Sequence, residues 1–94
     1  MCGIAGYVSV TPITGSESLL RRMTDVIGHR GPDDTGVYLD DYAALGHRRL
    51  SIIDLAAGHQ PMANETRNTW IVFNGEIFNH TAIRPDLERA GHIY

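Results

Sequence analysis

The single cysteine of the chain stands second, in Met1-Cys2-Gly3-Ile4, so removal of the initiator methionine would make it the amino terminus. A terminal cysteine carries a thiol nucleophile and an α-amino proton acceptor within one residue, and no separate histidine has to be positioned. An α-amino group titrates near pKa ~7.7 to 8.0, against ~10.4 for lysine, so it can hold or release a proton near neutrality. A thiolate attacking an acyl carbon also needs donors for the oxyanion that develops. Asn74 offers a side-chain NH2, and Gly75 offers a backbone N–H on a residue without a Cβ, so both can approach one oxygen closely. Arg49 could grip a carboxylate with two parallel hydrogen bonds and Glu76 could hold an ammonium; together they would recognise an α-amino acid backbone while Cys2 meets its side chain. Each residue has a plainer reading too. Cys2 suits a buried strand start, Asn74-Gly75 a hairpin turn, and Arg49 and Glu76 a solvated surface. The hairpin reading is weakened by Glu76-Ile77-Phe78, which leads into a helical pattern without a matching return strand.

Other chemistries fit less well. His29, His47, His59, His80 and His92 lie 12 or more residues apart with no metal-ligand spacing, so no metal site is expected. The glycines match neither the dinucleotide nor the phosphate-loop pattern. A formal charge of -3, with basic residues only in the short clusters Arg21-Arg22 and His47-Arg48-Arg49, argues against nucleic acid or an anionic membrane as partner. One cysteine excludes an internal disulfide framework, the start lacks a secretory pattern, and no apolar run approaches the ~20 residues that span a bilayer. A cytoplasmic protein acting on a small molecule is the expectation.

The elements that must position these residues follow from periodicity and turn chemistry. Residues 3 to 10 read as a strand closed by Thr11-Pro12, which puts Cys2 at a strand edge. Thr14 to Glu17 fits a capping box, and Leu19, Leu20, Met23, Val26 and Ile27 keep helical spacing until Gly28. A turn-rich loop, His29 to Gly36, follows. Strands are expected at Gly36 to Leu39, Tyr42 to His47 and Leu50 to Leu55, with Asp40-Asp41 turning between the first two. After a loop over 56–61, Thr69 to Phe73 reads as a strand covered on both faces that delivers Asn74-Gly75-Glu76 at its end. A second helix spans Asn79 to Ala90, with Ile83, Leu87 and Ala90 on one face and Gly91 as its stop; Pro85 is tolerable if it falls in the first turn. The class is α+β, with helices packed on antiparallel sheet. His92-Ile93-Tyr94 keeps apolar character to the last residue, as if another element were beginning.

Five ordered motifs carry a resemblance: Met1-Cys2-Gly3-Ile4-Ala5-Gly6, Arg30-Gly31-Pro32-Asp33, His47 to Asp54, Gln60-Pro61, and Asn74-Gly75-Glu76-Ile77-Phe78-Asn79. The set resembles the class II glutamine amidotransferases, and among them the asparagine synthetase branch. The resemblance implies an N-terminal nucleophile hydrolase fold, an αββα sandwich of antiparallel sheets of which this chain would hold the N-terminal part. It implies that Cys2 attacks glutamine to form a thioester, with Asn74 and the Gly75 N–H as oxyanion hole. Arg49 would bind the substrate carboxylate and Glu76 its ammonium, with Leu50, Ser51, Ile52 and Ile53 lining the pocket. The domain would need no cofactor of its own. Its partners would be glutamine and a C-terminal synthetase domain of the parent chain, which uses ATP and magnesium to activate aspartate and lies outside these residues; an oligomer is compatible with this. An aspartate that the family carries shortly after the position of Tyr94 is also absent, so the 94-residue piece alone is expected to be a poor glutaminase. Two alternatives stay open: the glutaminase portion of an amidotransferase of the amino sugar or purine pathways, and a non-catalytic regulatory domain of the same fold.

Overall fold

The computed structural model describes residues 2–13, 16–50 and 58–94. In chain order the elements are β1 (Gly3–Val8), α1 (Ser16–Val26), a 3-10 turn (Gly28–Arg30), β2 (Asp34–Leu39), β3 (Ala43–Arg49), β4 (Met62–Ala63), β5 (Trp70–Ile71) and α2 (His80–Arg89). The class is α+β with antiparallel pairing in both sheets, as the sequence leads one to expect.

β3 is the centre of a three-stranded sheet of order β1-β3-β2. The β2–β3 hairpin closes at the expected Asp40-Asp41 pair for a local reason. One Asp40 carboxylate oxygen accepts from the Tyr42 and Ala43 N–H groups at 2.8 and 2.7 Å, and the Asp40 N–H donates to the Ala43 carbonyl at 3.0 Å. This is the side-chain-to-backbone turn that short carboxylates favour. The pairing then runs in register from Leu39–Ala44 back to Asp34–Arg49, so both strands extend further toward the site than the alternating pattern alone marks out. β1 ends sooner than expected, at Val8, where the Ser9 N–H reaches the Tyr42 carbonyl.

The two faces of this sheet are covered differently. α1 lies across β3 and touches β1 and β2. Its buried side chains, Leu20 and Thr24, meet Ala44 and Gly46 of β3. The contact requires a glycine: a Cβ at Gly46 would stand 2.2 Å from Thr24 Oγ1, whose hydroxyl donates to the Leu20 carbonyl at 2.7 Å. The opposite face presents Leu45, His47 and their paired neighbours Gly36 and Tyr38. There the Trp70 ring stacks on Tyr38 at 4.4 Å with a 23° interplanar angle, so the β4–β5 pair sits on this second face. Helix, sheet and small sheet therefore form successive layers.

Three expectations change. The strand expected at Thr69 to Phe73 pairs only over Trp70–Ile71, and Ile71 is 51% exposed, so it is not covered on both faces by the described residues. Its ladder stops because the Phe73 N–H is taken by the Gln60 side chain rather than by a strand. α2 buries none of its residues, and Pro85 lies inside it, beyond the first turn. α2 is therefore not packed on the sheet among the described residues; its end is tied instead by the His92–Glu65 contact at 2.8 Å. The strand expected at Leu50 to Leu55 begins outside β3, at exposed Leu50, and 51–55 lie outside the described residues, as does Thr14 of the expected capping box.

The Gly46 contact is testable. Gly46→Ala should lower stability by about 1 to 3 kcal/mol through overpacking, and adding Thr24→Ala should recover part of that loss because it removes the clashing hydroxyl. Urea midpoints of the two single variants and the double variant measure the coupling, and strictly additive losses would rule out this contact as the cause.

Candidate functional site

Cys2 immediately precedes β1, and β1 pairs Gly3 with Arg48 of β3. That register brings Cys2 to the end of β3. The Cys2 Sγ lies 3.5 Å from the Leu50 N–H and 3.8 Å from the Leu50 carbonyl. The thiol therefore sits against the backbone that continues β3, and the sulfur accepts from one peptide group there.

The Cys2 carbonyl is held more firmly. Asn74 Nδ2 donates to it at 3.1 Å and Arg30 Nε at 3.2 Å. These donors come from 72 and 28 residues away. Arg30 reaches it from the 3-10 turn after α1. The segment that follows runs along the end of β3: Arg48 Nε donates to the Gly31 carbonyl at 3.0 Å, Pro32 bridges to Arg49, and the Asp33 N–H donates to the Arg49 carbonyl at 2.9 Å. The motif Arg30 to Asp33 is thus an anchoring segment. Arg30 carries a contact to Cys2 that the sequence reading gave no role, although its place in that motif was the available signal.

A cavity of about 530 Å³ opens at this point, lined by Cys2, Gly3, Ile4, Ile27, Arg30, Val72, Phe73 and Asn74. A larger hollow of about 750 Å³ lies elsewhere, between Ile13, Glu17, Ser18, Arg21, Leu39, Asp40 and Asp41. It shares no residue with the first and contains no cysteine, so chemistry favours the smaller one.

The structure brings some of the sequence-selected residues together. Cys2, Asn74 and Leu50 converge directly. Gly75 follows Asn74 at a bend, exposed, with the Phe73 ring filling the space beside it. Arg49 ends β3 opposite Asp34, and its guanidinium lies beside Gly58 rather than in the lining of the Cys2 cavity. Glu76 is exposed and lines a separate hollow with Ile77, Phe78 and His80. Neither charge borders the Cys2 cavity. Ser51, Ile52 and Ile53 lie outside the described residues, as does Met1. Among the described residues there is no cluster of three metal-capable side chains and no helix long and apolar enough to cross a membrane.

Two titratable groups support the site from β2 and β3. His59 Nδ1 and Asp34 Oδ2 are 2.5 Å apart. That hydrogen bond is the main reason the Asp34 carboxyl titrates below its ordinary value, against the opposing effect of desolvation. An ionised carboxylate only accepts, so Nδ1 carries the hydrogen. His47 is 1% exposed, and its Nε2 has no hydrogen-bond partner among the described residues. Burial pushes its pKa below the ordinary value; the Phe73 backbone and Asp34 oppose this, while Arg49 and His59 add to it.

The chain is similar to known proteins along its whole length. A family model described as a glutamine amidotransferase domain matches residues 1–94. Asparagine synthetase [glutamine-hydrolyzing] 1 of Bacillus subtilis (strain 168) is 41% identical over 97 residues, which cover 100% of this chain and 15% of that protein. Asparagine synthetase B [glutamine-hydrolyzing] of Escherichia coli (strain K12) is 39% identical over 87 residues, 92% of this chain and 16% of its own. The enzyme of the same description from Zea mays is 35% identical over 89 residues, 94% of this chain and 15% of its own. The chain spans about 15% of the length of these relatives.

Buried, neutral His47 makes stability depend on pH in a set direction. A histidine with a lowered folded pKa binds its proton more readily when unfolded, so its contribution is fully present above the ordinary value of 6.5 and is lost as the pH falls through the folded value. Urea midpoints taken on either side of the ordinary value should fall toward acid pH in the wild type and fall less in His47→Gln. An unchanged slope in that variant would show that other groups set it.

Proposed function

The chain belongs to the glutamine amidotransferase domain family, and from that premise we propose that it forms the glutaminase portion of a glutamine-hydrolysing asparagine synthetase. The observation that carries this reading is the convergence on Cys2: its thiol lies at the Leu50 backbone while the Asn74 amide, from across the chain, is hydrogen-bonded to its carbonyl.

In the proposed reaction Met1 is removed, and the free amine of Cys2 accepts the thiol proton. The sulfur attacks the side-chain amide carbon of glutamine and forms a C–S bond. The oxygen of that amide becomes an oxyanion, stabilised by a second Asn74 N–H and by the Gly75 N–H. Collapse breaks the C–N bond as the amine returns its proton to the departing nitrogen, and ammonia leaves. Water then attacks the thioester, glutamate departs, and the thiol is restored. Donors already paired to protein atoms do not reorganise as charge develops, which is the physical advantage of fixing Asn74 on the Cys2 carbonyl.

Arg49 binds the glutamine carboxylate and Glu76 its ammonium in this proposal. Because neither borders the Cys2 cavity, their engagement requires a movement of side chains or the contribution of residues 51–53. The ammonia acceptor is aspartate, a choice supported by the names of the relatives. Its activation with ATP and magnesium belongs to a synthetase domain of the parent chain. The helix–sheet–sheet layering supports an N-terminal nucleophile hydrolase sandwich, and a lone thiol nucleophile suits the reducing cytoplasm.

Mass spectrometry of the full natural chain, with and without a glutamine-mimicking electrophile, tests the mechanism. Loss of Met1 and a single adduct on Cys2 are expected; a retained Met1 with an unmodified thiol would refute it. Cys2→Ala should abolish glutamine hydrolysis, and Asn74→Ala should lower its kcat by about 10² to 10³, the range for loss of one oxyanion donor.

A further inference from the structure

Asn74 and Gly75 must be placed within a fraction of an ångström to serve an oxyanion, yet among the described residues the strand that delivers them stops pairing at Ile71. Something other than a ladder has to hold residues 72–74. The Gln60 side chain does so: its Oε1 accepts from the Phe73 N–H at 2.6 Å, one residue before Asn74.

Gln60 is itself braced. The preceding residue, His59, is bonded to Asp34 of β2 at 2.5 Å. The Gln60 backbone carbonyl lies so close to Gly36 of β2 that a Cβ there would stand 2.1 Å from it, and Pro61 beyond is buried. The loop therefore rests directly on a paired strand at two points. A continuous set of contacts runs from β2 through His59 and Gln60 to Phe73, then to Asn74 and the Cys2 carbonyl.

We propose that Gln60 is a positioning residue for glutamine hydrolysis: by holding the Phe73 N–H it sets where the Asn74 amide and the Gly75 N–H stand relative to Cys2. It does not itself line the cavity and reaches it only through Phe73, so its effect passes through the segment it holds. Groups of this kind control kcat more than substrate affinity, because a displacement of about 1 Å at a transition-state donor can cost ~10² in rate. The inference rests on the glutaminase reading above.

The test uses the full natural chain with Gln60→Leu, which removes the acceptor at similar size, and Gln60→Glu, which keeps an acceptor at the same reach. Gln60→Leu should lower kcat for glutamine hydrolysis by about 10- to 100-fold with KM within about 3-fold. Gln60→Glu should stay within about 3-fold of wild type, and alkylation of Cys2 by iodoacetamide, which needs no oxyanion donor, should proceed at the same rate in all three. Amide hydrogen exchange at Phe73 should quicken in Gln60→Leu alone. A kcat for Gln60→Leu within about 2-fold of wild type, or equal losses in both variants, overturns the proposal. If Gln60→Leu does not fold, Gln60→Asn withdraws the same acceptor by one methylene and carries the same expectations. A wild-type chain that does not hydrolyse glutamine refutes the functional reading instead; unchanged Phe73 exchange in Gln60→Leu refutes the clamp itself.

Discussion

One backbone carbonyl organises the site. The Cys2 C=O accepts from Arg30 Nε and Asn74 Nδ2, and these two bonds join three segments that local sequence cannot bring together. A residue that precedes the first strand has no ladder of its own, and its backbone would otherwise fray. A hydrogen bond to a charged guanidinium contributes more than a neutral one, roughly 1.5 to 3 against 0.5 to 1.5 kcal/mol, so Arg30 is the stronger of the two restraints where solvent does not compete. Asn74 adds direction rather than strength, because a planar amide fixed at one hydrogen also fixes the other.

The sheet makes that convergence possible. Register between β1 and β3 decides that Cys2 meets the end of β3, and a slip of one residue would turn His47 and Leu45 to the α1 face and Gly46 away from it. The close approach of Thr24 to Gly46 opposes such a slip, since a leucine or histidine cannot occupy that space. Apolar packing alone would not suffice: Leu20 and Ala44 are the fully buried hydrophobic residues among those described. Polar anchors, Asp40 in the hairpin and His59 on Asp34, carry much of the loop geometry.

Much of this was legible in the sequence because the informative signals are local. Alternation, the Asp40-Asp41 turn and the helical spacing of Leu20 and Met23 each depend on neighbours a few residues apart, and each corresponds to an observed element. The terminal cysteine and the Asn74-Gly75 pair were visible as residue types. What was not legible depends on contacts between distant segments. Trp70 to Phe73 is apolar enough for a long covered strand, but the Gln60 side chain takes the Phe73 N–H and ends the ladder. Pro85 was expected to be tolerable in the first turn, whereas it lies deeper inside α2, which accommodates the lost hydrogen bond in an exposed position. Arg49 and Glu76 advertise charge without saying where it points. The same limit hid Arg30, a common surface residue until the Cys2 carbonyl is seen beside it.

That division explains why the hydrogen bond from Asn74 matters more than its length implies. Its amide carries two hydrogens, and one is committed to the Cys2 carbonyl at 3.1 Å. If the side chain served only to stabilise the fold, any donor of similar reach would do, and Arg30 already supplies one to the same oxygen. An asparagine adds what a guanidinium at that point cannot: a second hydrogen held in the plane of the first, next to the thiol and followed by a residue without a Cβ. In the proposed reaction, structural restraint and charge stabilisation are two uses of one rigid group, and the restraint supplies the preorganisation on which the second use depends.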